Sequence, residues 1–94
     1  MKFVIIGWDG PEGQAKRPLH RPAHLERLKK LQTQGKLICA GPFSDQAGSL
    51  MMIEADSLAD AEAFAQADPY VLEGIFERVE VHPFKQVFPE EADS

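Results

Sequence analysis

At 94 residues the chain has room for one small hydrophobic core. Its composition, 44% hydrophobic and 27% charged with seven glycines and seven prolines, excludes a disordered tail, a collagen and a coiled-coil rod. A net charge of −5 has the wrong sign for gripping nucleic-acid phosphates or acidic lipid, and Cys39 as the only cysteine excludes an internal disulfide or a cysteine-rich zinc site.

The run Phe3 to Trp8, β-branched and apolar and closed by Asp9-Gly10-Pro11, predicts a first strand. It also imitates the opening of an export signal, but it breaks at Gly7 and Asp9, short of the 7–15 residues or so of such a segment. No stretch approaches the roughly 20 apolar residues of a membrane helix, so the expected location is cytoplasmic. Glu12 to Leu19 reads as a polar loop. Pro22 then suits the first position of a helix over residues 22–34, with Leu25, Leu28 and Leu31 at helical spacing and Gly35 as its stop.

Lys36 to Ala40 predicts a second strand, Phe43 to Gly48 a turn and Ser49 to Ala55 a third strand. Ser57 is a good helix cap, with Asp60 three residues on, and Leu58, Ala61, Phe64 and Ala65 form the stripe of a second helix. Asp68-Pro69-Tyr70 interrupts that helix. Gly74 leads into a fourth strand, Ile75 to His82, and Phe84 to Phe88 suggests a short fifth. Residues 1–88 thus form one domain and residues 89–94 a flexible acidic tail. The order βαββαβ is the α+β, ferredoxin-like unit with an antiparallel sheet.

Strands covered by helices on one side should alternate apolar and polar residues. The first strand does not: Phe3 and Ile5 oppose Val4, Ile6 and Trp8, and both sets are apolar. The second and third strands behave alike. With two helices for one face, a second copy of the sheet is the expected cover for the other, a sheet-on-sheet homodimer.

In such a fold the start of the first helix, the turn between the second and third strands and the end of the second helix share one end of the sheet. Polar clusters fall at each: Arg21 and His24, then Ser44 and Asp45 beside Phe43, then Asp68 before Tyr70. His24 lies on the apolar stripe of its helix, and Asp68, three residues after Ala65 and four after Phe64, lies on that of the second. The ordered set Arg21-Pro22-Ala23-His24-Leu25, Gly35, Gly41-Pro42, Gly48-Ser49 and Asp68-Pro69-Tyr70 resembles the YciI-like (YCII-related) family, from the first strand to about Phe84. The resemblance implies a dimeric α/β barrel, similar to muconolactone isomerases and small antibiotic-type monooxygenases. It also implies that His24 and Asp68 match the family's proposed active-site pair, and that one class of relatives removes chloride from chlorinated hydroxyhydroquinones. Where many members carry tryptophan after the last strand this chain has Phe84, so no particular substrate pocket is carried over.

Imidazole is the side chain best suited to move protons near neutrality, and a carboxylate beside it fixes its tautomer. His24 and Asp68 are therefore the expected catalytic pair, and Arg21, Phe43, Ser44 and Tyr70 the expected ligand-binding residues. At the helix start, the positive end of the dipole would favour neutral imidazole at His24. The alternative is that the pair only ties the two helices together.

His20 and His24 fail as a metal pair because Pro22 puts His20 outside the helix, and no third ligand is near in sequence. The glycines at 7, 10 and 13 match no nucleotide loop, and Asp9 reads as part of a polar turn. Ser44 and Ser49 lack a nucleophile elbow, and Cys39 in a buried strand reads as an inert packing residue. The aromatic strand motif of RNA-binding modules is absent.

Two functions follow. One is a cofactor-free enzyme, a lyase or isomerase, that uses the His-Asp pair for proton transfer on a small cyclic or phenolic substrate. The other is a non-catalytic dimeric module that holds a small molecule. Neither calls for a metal, nucleic acid or a membrane.

Overall fold

Phe3 and Ile5 are fully buried, and Val4 and Ile6 beside them only partly, the period of two that a strand requires. In the computed structural model, which describes residues 1–90, this run is β1 (Lys2–Asp9). It lies inside a sheet of order β2-β3-β1-β4, with β2 (Leu37–Pro42), β3 (Gly48–Glu54) and β4 (Phe76–Phe84). Every neighbouring pair is antiparallel. Three helices complete the chain: α1 (Gly13–Thr33), α2 (Leu58–Gln66) and the single turn α3 (Pro69–Leu72). The architecture is the expected α+β, ferredoxin-like one.

The largest departure from expectation is α1. The segment Glu12 to Leu19 is no loop: the helix begins at Gly13 and contains both Pro18 and Pro22. Each proline removes one backbone hydrogen bond. The two stand one turn apart on an exposed face, where water can satisfy the freed carbonyls. The opposite face holds the helix in place, since His24, Leu28 and Leu31 are buried against the sheet. Packing outweighs the two lost bonds.

Leu28 and Leu31 join Phe3, Ile5, Met51, Ile53, Ala61 and Ala65 in the main core. Tyr70, Ile75 and Phe76 form a second cluster at the sheet end where α1 begins. Gly7 makes room for it, because a Cβ there would lie 2.4 Å from the Phe76 ring. Ser57 caps α2 as expected, its side chain accepting from the Asp60 amide at 3.1 Å. Gly35 ends the turn after α1 with φ of +74°, which glycine adopts without strain.

Two further expectations are corrected. No fifth strand follows among the described residues; β4 itself runs on to Phe84 and the chain beyond is irregular. Cys39 is exposed, because the ladder shifts between Leu37 and Cys39 and sets Cys39 opposite Met52 rather than in the core. Of the expected acidic tail, residues 91–94 lie outside the described part.

The helices pack on the face of Phe3, Ile5, Met51 and Ile53. The other face of the sheet, with Val4, Ile6, Trp8, Leu50 and Met52, has no cover among the described residues, and these side chains are only partly buried. Along its β4 edge the Trp8 indole and His82 both hydrogen-bond Glu80, holding that carboxyl below its ordinary range. Among the described residues no helix is long and apolar enough to cross a membrane.

Candidate active site

Asp68 does not continue α2. It sits in the break after it, in extended conformation, and caps α3 by accepting the Tyr70 amide at 2.8 Å, with Pro69 as the first helical residue. That local motif turns the carboxylate inward, where it is 1% exposed. His24 comes to it from the middle of α1. The imidazole Nδ1 lies 2.9 Å from Asp68 Oδ1 and 3.0 Å from Oδ2.

An ionised carboxylate only accepts, so Nδ1 carries the hydrogen and a neutral ring keeps its lone pair on Nε2. Among the described residues Nε2 has no protein partner, and it is not among the buried atoms left unpaired. It therefore reaches the cleft that His24 lines. On the far side, Arg27 Nη1 stands 3.7 Å from Asp68 Oδ2 while its Nη2 donates to the Phe64 carbonyl at 2.8 Å. Burial lowers the Arg27 pKa from its ordinary value, against the pull of Asp68.

The helix-dipole effect expected at His24 does not operate. His24 stands about three turns inside α1, and the dipole acts within the first turn. The ring is instead fixed by Asp68 on one edge and by Tyr70 against its face, the two rings stacked with centroids 4.0 Å apart. Phe76 supports Tyr70 edge-on at 5.5 Å. Burial raises the Tyr70 pKa, with Arg17 and Arg21 pulling the other way.

A recess of about 190 Å³ opens between α1 and the β2–β3 hairpin, lined by Arg17, Arg21, His24, Ser49, Met51 and Tyr70 among others. It shares Arg17, Arg21, Pro42 and Tyr70 with a second recess of about 270 Å³ that extends to Phe43 and Gln46. Of the expected site residues, the fold brings His24, Arg21, Tyr70 and Phe43 to this cleft, with Asp68 behind His24. Ser44 is not brought there. It lines a separate hollow with Trp8, Phe43, Asp45 and Ala47.

The sequence reasoning missed Arg17 and Asp9. Arg17 pairs with Asp9 through two hydrogen bonds, of 2.8 and 2.7 Å, and donates to Ser49 at 3.1 Å. The signal was present: Gly13, Arg17, His24, Leu28 and Leu31 lie at helical spacing, one stripe that runs straight past both prolines. Among the described residues no three His, Cys, Asp or Glu side chains gather as a metal site.

A helix-backed antiparallel sheet with a buried His-Asp pair at the edge of a cleft defines a small ferredoxin-like α+β protein. The YCII-related domain matches residues 1–85, and the chain belongs to that family. It is 42% identical to Protein YciI of Escherichia coli O6:H1, over 94% of this chain and 100% of that protein. Among solved structures it is similar to the 5-chloro-2-hydroxyhydroquinone dehydrochlorinase TftG of Burkholderia phenoliruptrix AC1100, in complex with 2,5-dihydroxybenzoquinone. The TM-score is 0.80 at 29% identity, covering 90% of this chain and 94% of that one. Rv0793 of Mycobacterium tuberculosis shares the fold, with a TM-score of 0.51 at 11% identity over 92% of this chain and 96% of that one.

Proposed function

We propose that this chain is a cofactor-free enzyme in which His24, oriented by Asp68, transfers a proton on a small cyclic or phenolic substrate. One observation carries this: Nδ1 is held by both oxygens of a buried carboxylate while Nε2 has no protein partner and faces the cleft. That is the division of labour a general base needs. Arg21 lines the same cleft with no carboxylate partner among the described residues, and so supplies charge for an enolate, phenolate or carboxylate.

In an elimination, Nε2 takes the proton. The electron pair left behind becomes a new double bond, and the leaving group departs with its own pair as an anion. In an isomerisation the same proton returns to another atom of the substrate. The likeness to TftG, named for removing chloride from a hydroxyhydroquinone, supports elimination within this class.

The reading includes a cytoplasmic homodimer. A second copy placed against the open face would cover Val4, Ile6, Leu50 and Met52 together, a contiguous apolar strip of the kind that marks an interface.

The test is a turnover screen of chlorinated hydroxyquinols and lactones with the wild type and with His24→Gln. Turnover by the wild type that falls at least 100-fold in the folded variant is the expected result. Binding without turnover by the wild type would replace the enzyme with a small-molecule-binding module. Equal turnover by both proteins would remove His24 from the chemistry.

A further inference from the structure

Arg27 stands behind the His24–Asp68 pair, lining neither recess of the cleft, and the proton transfer above makes no use of it. Its Nη2 donates to the Phe64 carbonyl at 2.8 Å, and its guanidinium carbon lies over the Phe64 ring, 4.3 Å from the centroid. These two contacts tie α1 to α2. They do not account for Nη1. Among the described residues Arg27 Nη1 is the only buried side-chain nitrogen or oxygen without a hydrogen-bond partner, a state that costs free energy wherever it occurs.

Nη1 faces Asp68 Oδ2 at 3.7 Å, too far for a hydrogen bond. The carboxylate is already committed elsewhere: Oδ1 accepts from His24 Nδ1 and from the Tyr70 amide, and Oδ2 accepts from Nδ1 again. Arg27 thus adds charge to Asp68 without competing for the bonds that aim the imidazole. The two side chains are 24% and 2% exposed, so water screens that charge only weakly. The other charges about His24 are of a different kind. Arg17, neutralised by Asp9, and Arg21 stand on the cleft side of α1. Tyr70 of α3 is a phenol whose proton burial retains, and β3 contributes the uncharged Ser49 and Met51.

We propose that Arg27 is a positioning residue for the proton transfer, its charge held against the back of Asp68 so that His24 releases readily the proton it has taken up. The proposal rests on the reading of His24 as the proton-transfer group. While the ring is neutral, guanidinium and carboxylate balance each other. Once Nε2 gains a proton, imidazolium and guanidinium share one carboxylate, and the surplus positive charge favours return of the proton. A guanidinium keeps its charge throughout, so the bias is present in every cycle.

The test reads the ring and needs no substrate. NMR of protein labelled with 15N-histidine follows the ring nitrogens against pH, and the His24 signals are those that vanish in His24→Gln. Arg27→Gln removes the charge and keeps an amide donor for the Phe64 carbonyl. Arg27→Met removes it with an apolar stem, an exchange that buried ion pairs often tolerate. In each, the pH at which the His24–Asp68 pair takes up its proton should rise by about 0.5–1 unit. The sign holds whichever member takes the proton, because loss of a cation favours protonation of both. Arg27→Lys keeps the charge and should undo most of the rise. Circular dichroism checks that each variant is folded. A tie between helices alone predicts lower melting temperatures with no movement of the titration. An unmoved titration in a folded neutral variant, or an equal rise in Arg27→Lys, would overturn the proposal and leave the role of His24 standing. The expected shifts together with equal turnover by wild type and His24→Gln would keep the control by Arg27 and remove the base.

Discussion

The rings of His24 and Tyr70 lie face to face, with planes 4° from parallel and centroids 4.0 Å apart. One ring comes from the middle of α1 and the other from α3, and Asp68 bonds both residues, through the His24 imidazole and the Tyr70 amide. A single carboxylate thereby sets the orientation of the His24 imidazole and the position of its neighbour. Asp68→Ala should destabilise the fold by about 2–4 kcal/mol, from a lost helix cap of about 1 kcal/mol and an unmet imidazole donor of about 1–3 kcal/mol. His24→Gln keeps an N–H that can reach Asp68 and should cost about 1 kcal/mol or less. Urea melts of both proteins check this. Equal, large losses in the two would mark the pair as a structural tie.

Tyr70 is the only tyrosine in the chain, so alkaline absorbance reports this phenol alone. Its pKa is raised in the folded protein, chiefly by burial. A raised pKa means the folded state holds the proton more tightly. The associated stability is therefore complete below the unfolded value of about 10 and is lost as pH climbs above it toward the folded value. The native titration should lie above that of the urea-unfolded protein, and Tyr70→Phe should flatten the alkaline loss of stability. Arg21→Ala should move the native midpoint higher still, because Arg21 favours the phenolate. A native midpoint at or below the unfolded one would contradict the burial described.

Gly7→Ala places a methyl group 2.4 Å from the Phe76 ring. Phe76 supports Tyr70, so the displaced ring should disturb the stack on His24 as well as cost about 1–3 kcal/mol. The double variant Gly7→Ala, Phe76→Leu should be less damaged than the sum of its parts, a coupling that a denaturation double-mutant cycle measures. Strict additivity would show that the two positions do not press on each other.

Ile6 lies on the open sheet face, opposite Leu50 and Glu80, whereas its neighbour Ile5 is in the core. Ile6→Asp should therefore halve the mass seen by light scattering at micromolar concentration while the chain stays folded. Ile5→Asp should unfold it, because burying an unpaired charge costs several kcal/mol. A wild type that already scatters as a monomer would end the homodimer proposal.

The sheet was legible in the sequence because short apolar, β-branched runs such as Phe3 to Trp8 end at glycine or proline, and α2 because Ser57 announces it. The first half of α1 was not, because Pro18 and Pro22 count locally as breakers and only the buried stripe through Arg17 and His24 overrules them. That one misreading hid Arg17, and with it the partner that makes Asp9 more than a turn residue. Cys39 was misplaced by a shift in the ladder, which no local pattern of side chains reveals. His24 and Asp68 could be paired because helical spacing set His24 inward and topology carried both to one cleft. The cap that fixes Asp68 lies in the Asp-Pro-Tyr break itself, where a stripe of α2 no longer applies.

Arg21 at the cleft has no carboxylate partner among the described residues, yet the chain as a whole carries −5. At physiological ionic strength the pull of one exposed arginine fades within about 8–10 Å. An anionic ligand therefore meets repulsion on its way in and attraction only on arrival. Added salt removes the first before the second, so the association rate should rise between low and moderate ionic strength. The dissociation rate rises too as the Arg21 contact is screened. Added salt should thus quicken both the arrival and the release of an anionic ligand at this cleft, which stopped-flow binding at two ionic strengths measures.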